Sequence, residues 1–288
     1  MRPQIHMIQL DPSDVRPGST LRPVTRFVAE HDGAEVASVV FGQAEIFEPE
    51  PLEYALARLS WADGRLDAAR AVMIAAARSV PAGAEVYFPV SAAQAARCGI
   101  AEACGFTLFQ EKEGFWWADS GQQLPEPAGL AFHPMSQTGR ERFIPVIGRC
   151  LSATLDRADK LNVARYRSPE DWAAAFLDRH ARPAGQDSWF CACTEDGEPI
   201  GFFGLEGREG EPGASTLSLI GVLPEQRGRR FADQLAYAAY RAARAKGFTG
   251  VLSLVDVENH PMTAAMRRTG SDPQAHPWHK WLYSFYQN

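Results

Sequence analysis

The stretch Gly221-Val-Leu-Pro-Glu-Gln-Arg-Gly-Arg-Arg-Phe-Ala232 decides how this chain is read. Before it, Ser215–Val222 reads as a strand. After it, an Ala-rich helical pattern runs to about Lys246 and is stopped by Gly247. A helix that begins directly after a short loop presents unpaired N–H groups and the positive end of its dipole, which suits a pyrophosphate. Arg227, Arg229 and Arg230 gather positive charge at that point. A solvated strand–helix turn with surface arginines would look the same, so the neighbours must decide.

Downstream, Gly250–Asp256 reads as a buried strand, Asn259 precedes a helix over Pro261–Thr269, and Lys280–Tyr286 reads as a final strand. Upstream, Trp189–Thr194 and Pro199–Leu205 flank the hairpin signal Glu195-Asp-Gly-Glu198. Arg140–Leu151 and Pro169–His180 read as helices, the second with Ser168 as N-cap and Pro169 in its first turn, and Leu130–Pro134 reads as a short first strand. The polar, Pro-bearing segment 121–129 has no apolar periodicity and reads as a linker. The expected domains are therefore residues 1–120 and 130–288.

The first part repeats the end of this pattern. Thr25–Glu30 and Glu35–Gly42 flank His31-Asp-Gly33, Tyr54–Trp61 is a strand, Ala68–Val80 a helix, Glu85–Val90 a strand and Ala92–Cys104 a helix. A last strand runs from Gly105-Phe106 to Phe115-Trp-Trp117. Setting Trp61 opposite Leu223 pairs Gly64-Arg65 with Gln226-Arg227 and keeps the helices in register. This predicts an internal duplication whose first copy lacks the opening strand and helices.

Composition bounds the function. The 288 residues are 45% hydrophobic and 22% charged, the balance of a globular chain, and the net charge of −6 argues against a broadly nucleic-acid-binding surface. The apolar run Ala71–Ala77 is far short of the ~20 residues a membrane span needs. The start has no apolar secretion signal, so a cytoplasmic protein is expected. Cys98, Cys104, Cys150, Cys191 and Cys193 form no Cys-x-x-Cys pair, so buried reduced thiols are expected and no metal site. Phosphate-loop, zinc-protease, serine-hydrolase and dinucleotide-binding motifs are missing.

In this order of elements, the loop and the segment around Asn259 resemble motifs A and B of the GNAT superfamily of N-acetyltransferases. The family loop runs Arg or Gln, any two residues, Gly, any residue, then Gly or Ala. Arg227–Ala232 fits it except at Arg230, where the family has Gly. In the first copy Arg65-Leu-Asp-Ala-Ala-Arg70 stands in the loop's place without glycine, and 101–117 resembles the end of a GNAT domain. The resemblance implies an α/β (α+β) fold of two tandem GNAT-like domains, each a mixed, mostly antiparallel sheet flanked by helices. The layout resembles that of mycothiol synthases. It further implies acetyl-CoA as co-substrate, with Leu219, Ile220, Gly221 and Val222 along the pantetheine arm on a strand that a bulge splays from its neighbour. The amides of Gly228, Arg229, Arg230, Phe231 and Ala232 would hold the pyrophosphate with help from Arg227, and Asn259 would contact the cofactor arm or cap the next helix.

The usual family tyrosine acid stands four residues before the Gly of motif B; here Met266 stands there, and Ala101 in the first copy. The remaining candidates for acid or base work are Glu206, Asp256, Glu258, Tyr283 and Tyr286, the last two reaching in from the final strand, with His260, His276 and His279 as weaker ones. Trp189, Phe190, Phe202 and Phe203 read as core. The expected activity is direct transfer of an acetyl group to a primary amine of a small molecule, without nucleic acid, membrane or metal; a homodimer stays open as an assembly. The rival reading is a catalytically impaired acyl-CoA-binding pseudo-acetyltransferase or sensor.

Overall fold

The computed structural model describes residues 3–10, 22–44, 53–91, 94–181, 183–208, 210–273 and 280–286. In chain order the elements are β1 (Gln4–Gln9), β2 (Arg22–His31), β3 (Ala34–Ala44), β4 (Glu53–Trp61), α1 (Leu66–Ala77), β5 (Glu85–Ser91), α2 (Ala95–Ala103) and β6 (Thr107–Ala118). There follow β7 (Leu130–Pro134), α3 (Met135–Thr138), α4 (Arg140–Leu151), α5 (Arg157–Arg165), α6 (Pro169–His180), β8 (Trp189–Thr194), β9 (Pro199–Gly207) and β10 (Ala214–Val222). The chain closes with α7 (Phe231–Ala245), β11 (Gly250–Asp256), α8 (His260–Arg268) and β12 (Lys280–Tyr286).

Two compact units result: Met1–Glu111 with His279–Asn288, and Lys112–Trp278. This division departs from the expected one at 121–129. The reason is strand pairing. β12 does not complete the second unit; it runs antiparallel to β5 from Lys280↔Ser91 to Tyr286↔Glu85. The second unit is completed instead by the last part of β6, which pairs with β11 from Lys112↔Asp256 to Ala118↔Gly250. The segment 121–129 is tied into the second unit, where Arg244 binds Asp119 and donates to Gln122 O at 2.9 Å.

In the first unit β1 to β4 form an antiparallel meander and β4 runs parallel to β5. Helix α1 buries Ala68, Ala69, Val72, Met73, Ala76 and Ala77 in a core with Phe27, Val39, Leu56 and Phe88. The expectation that this copy lacks its opening strand is corrected: β1 pairs with β2 along six residues, Gln4↔Glu30 to Gln9↔Thr25. All six are exposed, so no buried apolar alternation marked them in the sequence.

The second unit orders its strands β7-β8-β9-β10-β11 followed by the end of β6. β7 to β10 are antiparallel, and β10 and β11 are parallel. Alternation along β9 supplies both faces. Phe203 and Leu205 pack with α7, whereas Phe202 packs with α4 and α6 through Phe143, Ile147, Trp172 and Phe176. Gly204 is required here, because a Cβ would stand 2.5 Å from the Trp189 ring.

The last helices of the two units end alike, with the same cap that ends α7 at Gly247. At α2, Phe106 N–H bonds Ala101 O and Gly105 N–H bonds Glu102 O, both 3.0 Å, with Gly105 at φ +86°. At α8, Ser271 N–H bonds Met266 O at 3.1 Å and Gly270 N–H bonds Arg267 O at 3.2 Å, with Gly270 at φ +84°. Both use a left-handed glycine to satisfy the last carbonyls.

Candidate active site

The site is built where β10 and β11 part. They pair in parallel only at Ala214↔Gly250, Ser215↔Val251 and Thr216↔Leu252. Beyond Thr216 a bulge between Leu217 and Leu219 bends β10, which stays paired to β9 as far as Val222↔Gly201. A bulge adds local twist and re-aims the strand. The amides and carbonyls of Leu217–Val222 that do not face β9 therefore line a fork between β10 and β11. On the β11 arm, Ser253 Oγ is buried without a hydrogen-bond partner. Gly221 keeps β10 close to α4: a Cβ there would stand 2.8 Å from the Phe202 ring and 2.9 Å from Cys150 Cβ.

The fork opens toward the loop. Pro224–Gln226 makes one 3-10 turn, Gly228 sits at φ +79°, and Arg230 is left-handed at φ +59°, ψ +24°. Arg230 is the N-cap of α7, yet its side chain makes no cap bond, and Asp233 N–H already bonds Arg230 O at 3.1 Å. The amides at the start of α7 thus point out of the helix with the positive dipole end behind them.

Residues 154–270 match the model of the acetyltransferase (GNAT) family. They form a GNAT acetyltransferase domain. No curated protein matches the chain by sequence. Among solved structures, a GCN5-related N-acetyltransferase from Sphaerobacter thermophilus is 16% identical with a TM-score of 0.62, the match covering 95% of this chain and 83% of that one. A tandem GNAT protein from the clavulanic acid biosynthesis pathway is 15% identical with a TM-score of 0.61, covering 99% of each chain. A GNAT-family acetyltransferase from Colwellia psychrerythraea is 11% identical with a TM-score of 0.58, covering 99% of this chain and 100% of that one. At these identities the likeness is one of fold, and it is a tandem GNAT fold.

Within the GNAT domain the expected site residues separate. Leu219, Ile220, Gly221 and Val222 line the fork, and Gly228, Arg229, Arg230, Phe231 and Ala232 form the turn into α7. Arg227 is part of the loop, but its side chain turns away from it. Nε donates to Val222 O at 3.1 Å, Nη1 to Ala153 O at 2.7 Å and Nη2 to Cys150 O at 3.1 Å. These bonds clamp the end of β10 to Cys150 in the last turn of α4 and to Ala153 just beyond it. Arg229 donates to Gln226 Oε1 at 2.7 Å and lies over the Phe231 ring, and Arg227, Arg229 and Arg230 are all exposed. Asn259 caps α8, its Oδ1 accepting from Met262 N–H at 3.4 Å.

Among the acid–base candidates, Asp256 is fully buried and committed. It accepts from Arg157 Nε and Nη2 at 3.1 Å, from Arg157 N–H at 3.0 Å and from Glu258 N–H at 2.9 Å. Glu258 is exposed and lies 3.4 Å from Arg157 Nη1. Tyr283 and Tyr286 are corrected: both lie on β12 in the first unit, not in the GNAT domain. Tyr283 is buried there and donates to Glu102 Oε1 at 2.9 Å, and burial raises its hydroxyl pKa far above the usual range. Met266 is wholly buried in the α7 core, with Tyr240 Oη 3.9 Å from its Sδ. Tyr240 is itself buried against Trp117 and bonded to Ser271 Oγ at 2.6 Å, and burial raises its pKa. His260 opens α8, whereas His276 and His279 lie outside the described residues.

Two groupings escape sequence reading. Glu206 Oε1 lies 2.8 Å from Nδ1 of His180, the last residue of α6, whose ring stacks on Phe176. In the sequence His180 is only a basic residue in a final helical turn. The second grouping surrounds α5, a helix the sequence did not announce. Asp156 caps it by accepting from Ala158 and Asp159 N–H, and binds Lys112 Nζ at 3.1 Å. Burial, with Asp156 adjacent, pushes the Asp159 carboxyl up to about 7. Burial alone would lower Lys112, but Asp156, Asp159 and Asp256 hold it above the usual lysine range.

All five cysteines are free, and burial pushes the Cys150 thiol up to about 12. Among the described residues no group of three or more His, Cys, Asp or Glu could hold a metal ion, and no helix is long and apolar enough to cross a membrane.

Proposed function

We propose that the unit Lys112–Trp278 binds acetyl-CoA and transfers its acetyl group to a primary amine of a small molecule while both are bound. The observation that carries this reading is the fork, which ends β10–β11 pairing at Thr216↔Leu252 and leads into the turn at Gly228 and Arg230. The strand groups from Leu219 to Gly221 that face away from β9 suit the amides of the pantetheine arm, and the buried Ser253 Oγ can hydrogen-bond to a group lying in the fork. The amides from Gly228 to Ala232 suit a pyrophosphate. When bound, the co-substrate supplies an activated thioester, and a β10 amide aimed at its carbonyl oxygen would stabilise developing negative charge. The corresponding turn in the first unit differs: Gly64 is left-handed, but the α1 cap Arg65 is at φ −107°, Asp67 is in the first turn of α1, and no glycine lies between Arg65 and Arg70. One cofactor per chain is therefore expected.

A second reading, a non-catalytic acyl-CoA binder, is favoured by buried Met266 in place of a tyrosine acid. Calorimetric titration with acetyl-CoA, followed by thiol release with a panel of aminosugars, polyamines and aminoglycosides, separates the two. Binding with one site and amine-dependent thiol release supports the transferase. Binding without release supports the binder, and no binding removes both.

A further inference from the structure

We propose that Glu206, held by His180, receives the acceptor's ammonium group and takes its proton. The proposal rests on the acetyltransferase reading and names the residues that would serve it. Three features of the GNAT domain lead to it. First, Glu206 is the Cα partner of Thr216, the last β10 residue paired to β11, so it stands level with the vertex of the fork. Directly opposed side chains on one sheet face lie about 5 Å apart, which puts the carboxylate beside the bulge that follows. Second, neither strand arm of the fork supplies another base. Leu217–Val222 contains no ionisable side chain, and Asp256 on the β11 arm is saturated by Arg157 and the Glu258 amide. Third, the carboxylate is both held and reachable: one oxygen is 2.8 Å from His180 Nδ1, while the Glu206 side chain remains 34% exposed.

The step balances simply. The acceptor arrives as R–NH3+ and gives one proton to Glu206. The nitrogen lone pair then forms the C–N bond to the thioester carbonyl carbon as the C–S bond breaks. The second N–H proton leaves with the thiolate to give free thiol, and Glu206 returns its proton to water. His180 is a positioning residue: it fixes the carboxylate and does not itself accept the amine proton.

The test uses the full chain with Glu206→Gln, His180→Ala, His180→Gln and Asp159→Asn. It reads the acetyl-CoA dissociation constant by calorimetry and thiol release with amines and with water alone. In Glu206→Gln, cofactor affinity should be unchanged and kcat should fall by about 10²-fold or more, the usual worth of a general base. His180→Ala should lose about tenfold, mainly in kcat, and His180→Gln, which can still donate to the carboxylate, should recover part of it. Turnover of Glu206→Gln within about threefold of the wild type overturns the proposal, as does a loss confined to Asp159→Asn. A wild type that binds acetyl-CoA but releases no thiol to amine or water refutes the acetyltransferase reading on which the proposal rests. A wild type that binds no acetyl-CoA refutes the acetyltransferase reading itself.

Discussion

Replacing Arg227 by alanine removes a clamp rather than a phosphate ligand. Its guanidinium spans three backbone carbonyls, Val222 O, Cys150 O and Ala153 O, at 2.7–3.1 Å. Each net hydrogen bond is worth about 0.5–1.5 kcal/mol, and a cation at a helix C-terminus adds about 0.3–1 kcal/mol. Arg227 is exposed, so the low end applies, and the expected loss is about 2 kcal/mol. For a unit of this size that is roughly 4–8 °C in melting temperature. Arg227→Lys keeps the charge but not the planar fork, so it should recover less than half of the loss. Differential scanning calorimetry without ligand is the assay, because a phosphate role would be silent there. Melting temperatures of both variants within about 1 °C of the wild type would refute the clamp. So would a large fall in CoA affinity in a fully stable Arg227→Ala protein.

Three further outcomes are expected. Arg230→Gly relieves a left-handed arginine that costs about 1–2 kcal/mol, against about 0.5–1 kcal/mol of added chain entropy. It should leave the protein as stable or up to about 1.5 kcal/mol more so by urea unfolding, and a clear destabilisation would contradict the strain. Asp256→Ala leaves Arg157 without its buried partner and should cost about 3–5 kcal/mol, read as lost soluble yield or a lowered urea midpoint. The third concerns pH. A carboxyl raised to about 7 binds its proton more tightly in the folded state, so its contribution to stability is present at low pH and is lost as pH rises from about 4 through 7. Asp159→Asn should therefore flatten the stability–pH curve over that window, and an unchanged slope would show that Asp159 titrates normally.

Much of this site was legible in the sequence because its parts are local. The strand, the turn with Gly228 and the helix that follows are set by residues adjacent in the chain, as are the Ser168 cap of α6 and the glycines that end α2, α7 and α8. Even the left-handed Arg230 was legible, as a departure from a position where the family has glycine. The GNAT resemblance rested on that order of local pieces. What the sequence could not determine were the partners of side chains and strands that meet from afar. The pairing of β12 with β5 joins residues almost 200 positions apart, and it moved Tyr283 and Tyr286 out of the GNAT domain. The Arg227 clamp reaches back to Cys150, and Glu206 finds His180 on a helix that reads as ordinary. Asp256 looked like a free carboxylate until Arg157 stood beside it. Periodicity states which face of an element is buried, but a charged group's role depends on what lies opposite it, and only the folded chain brings the two together.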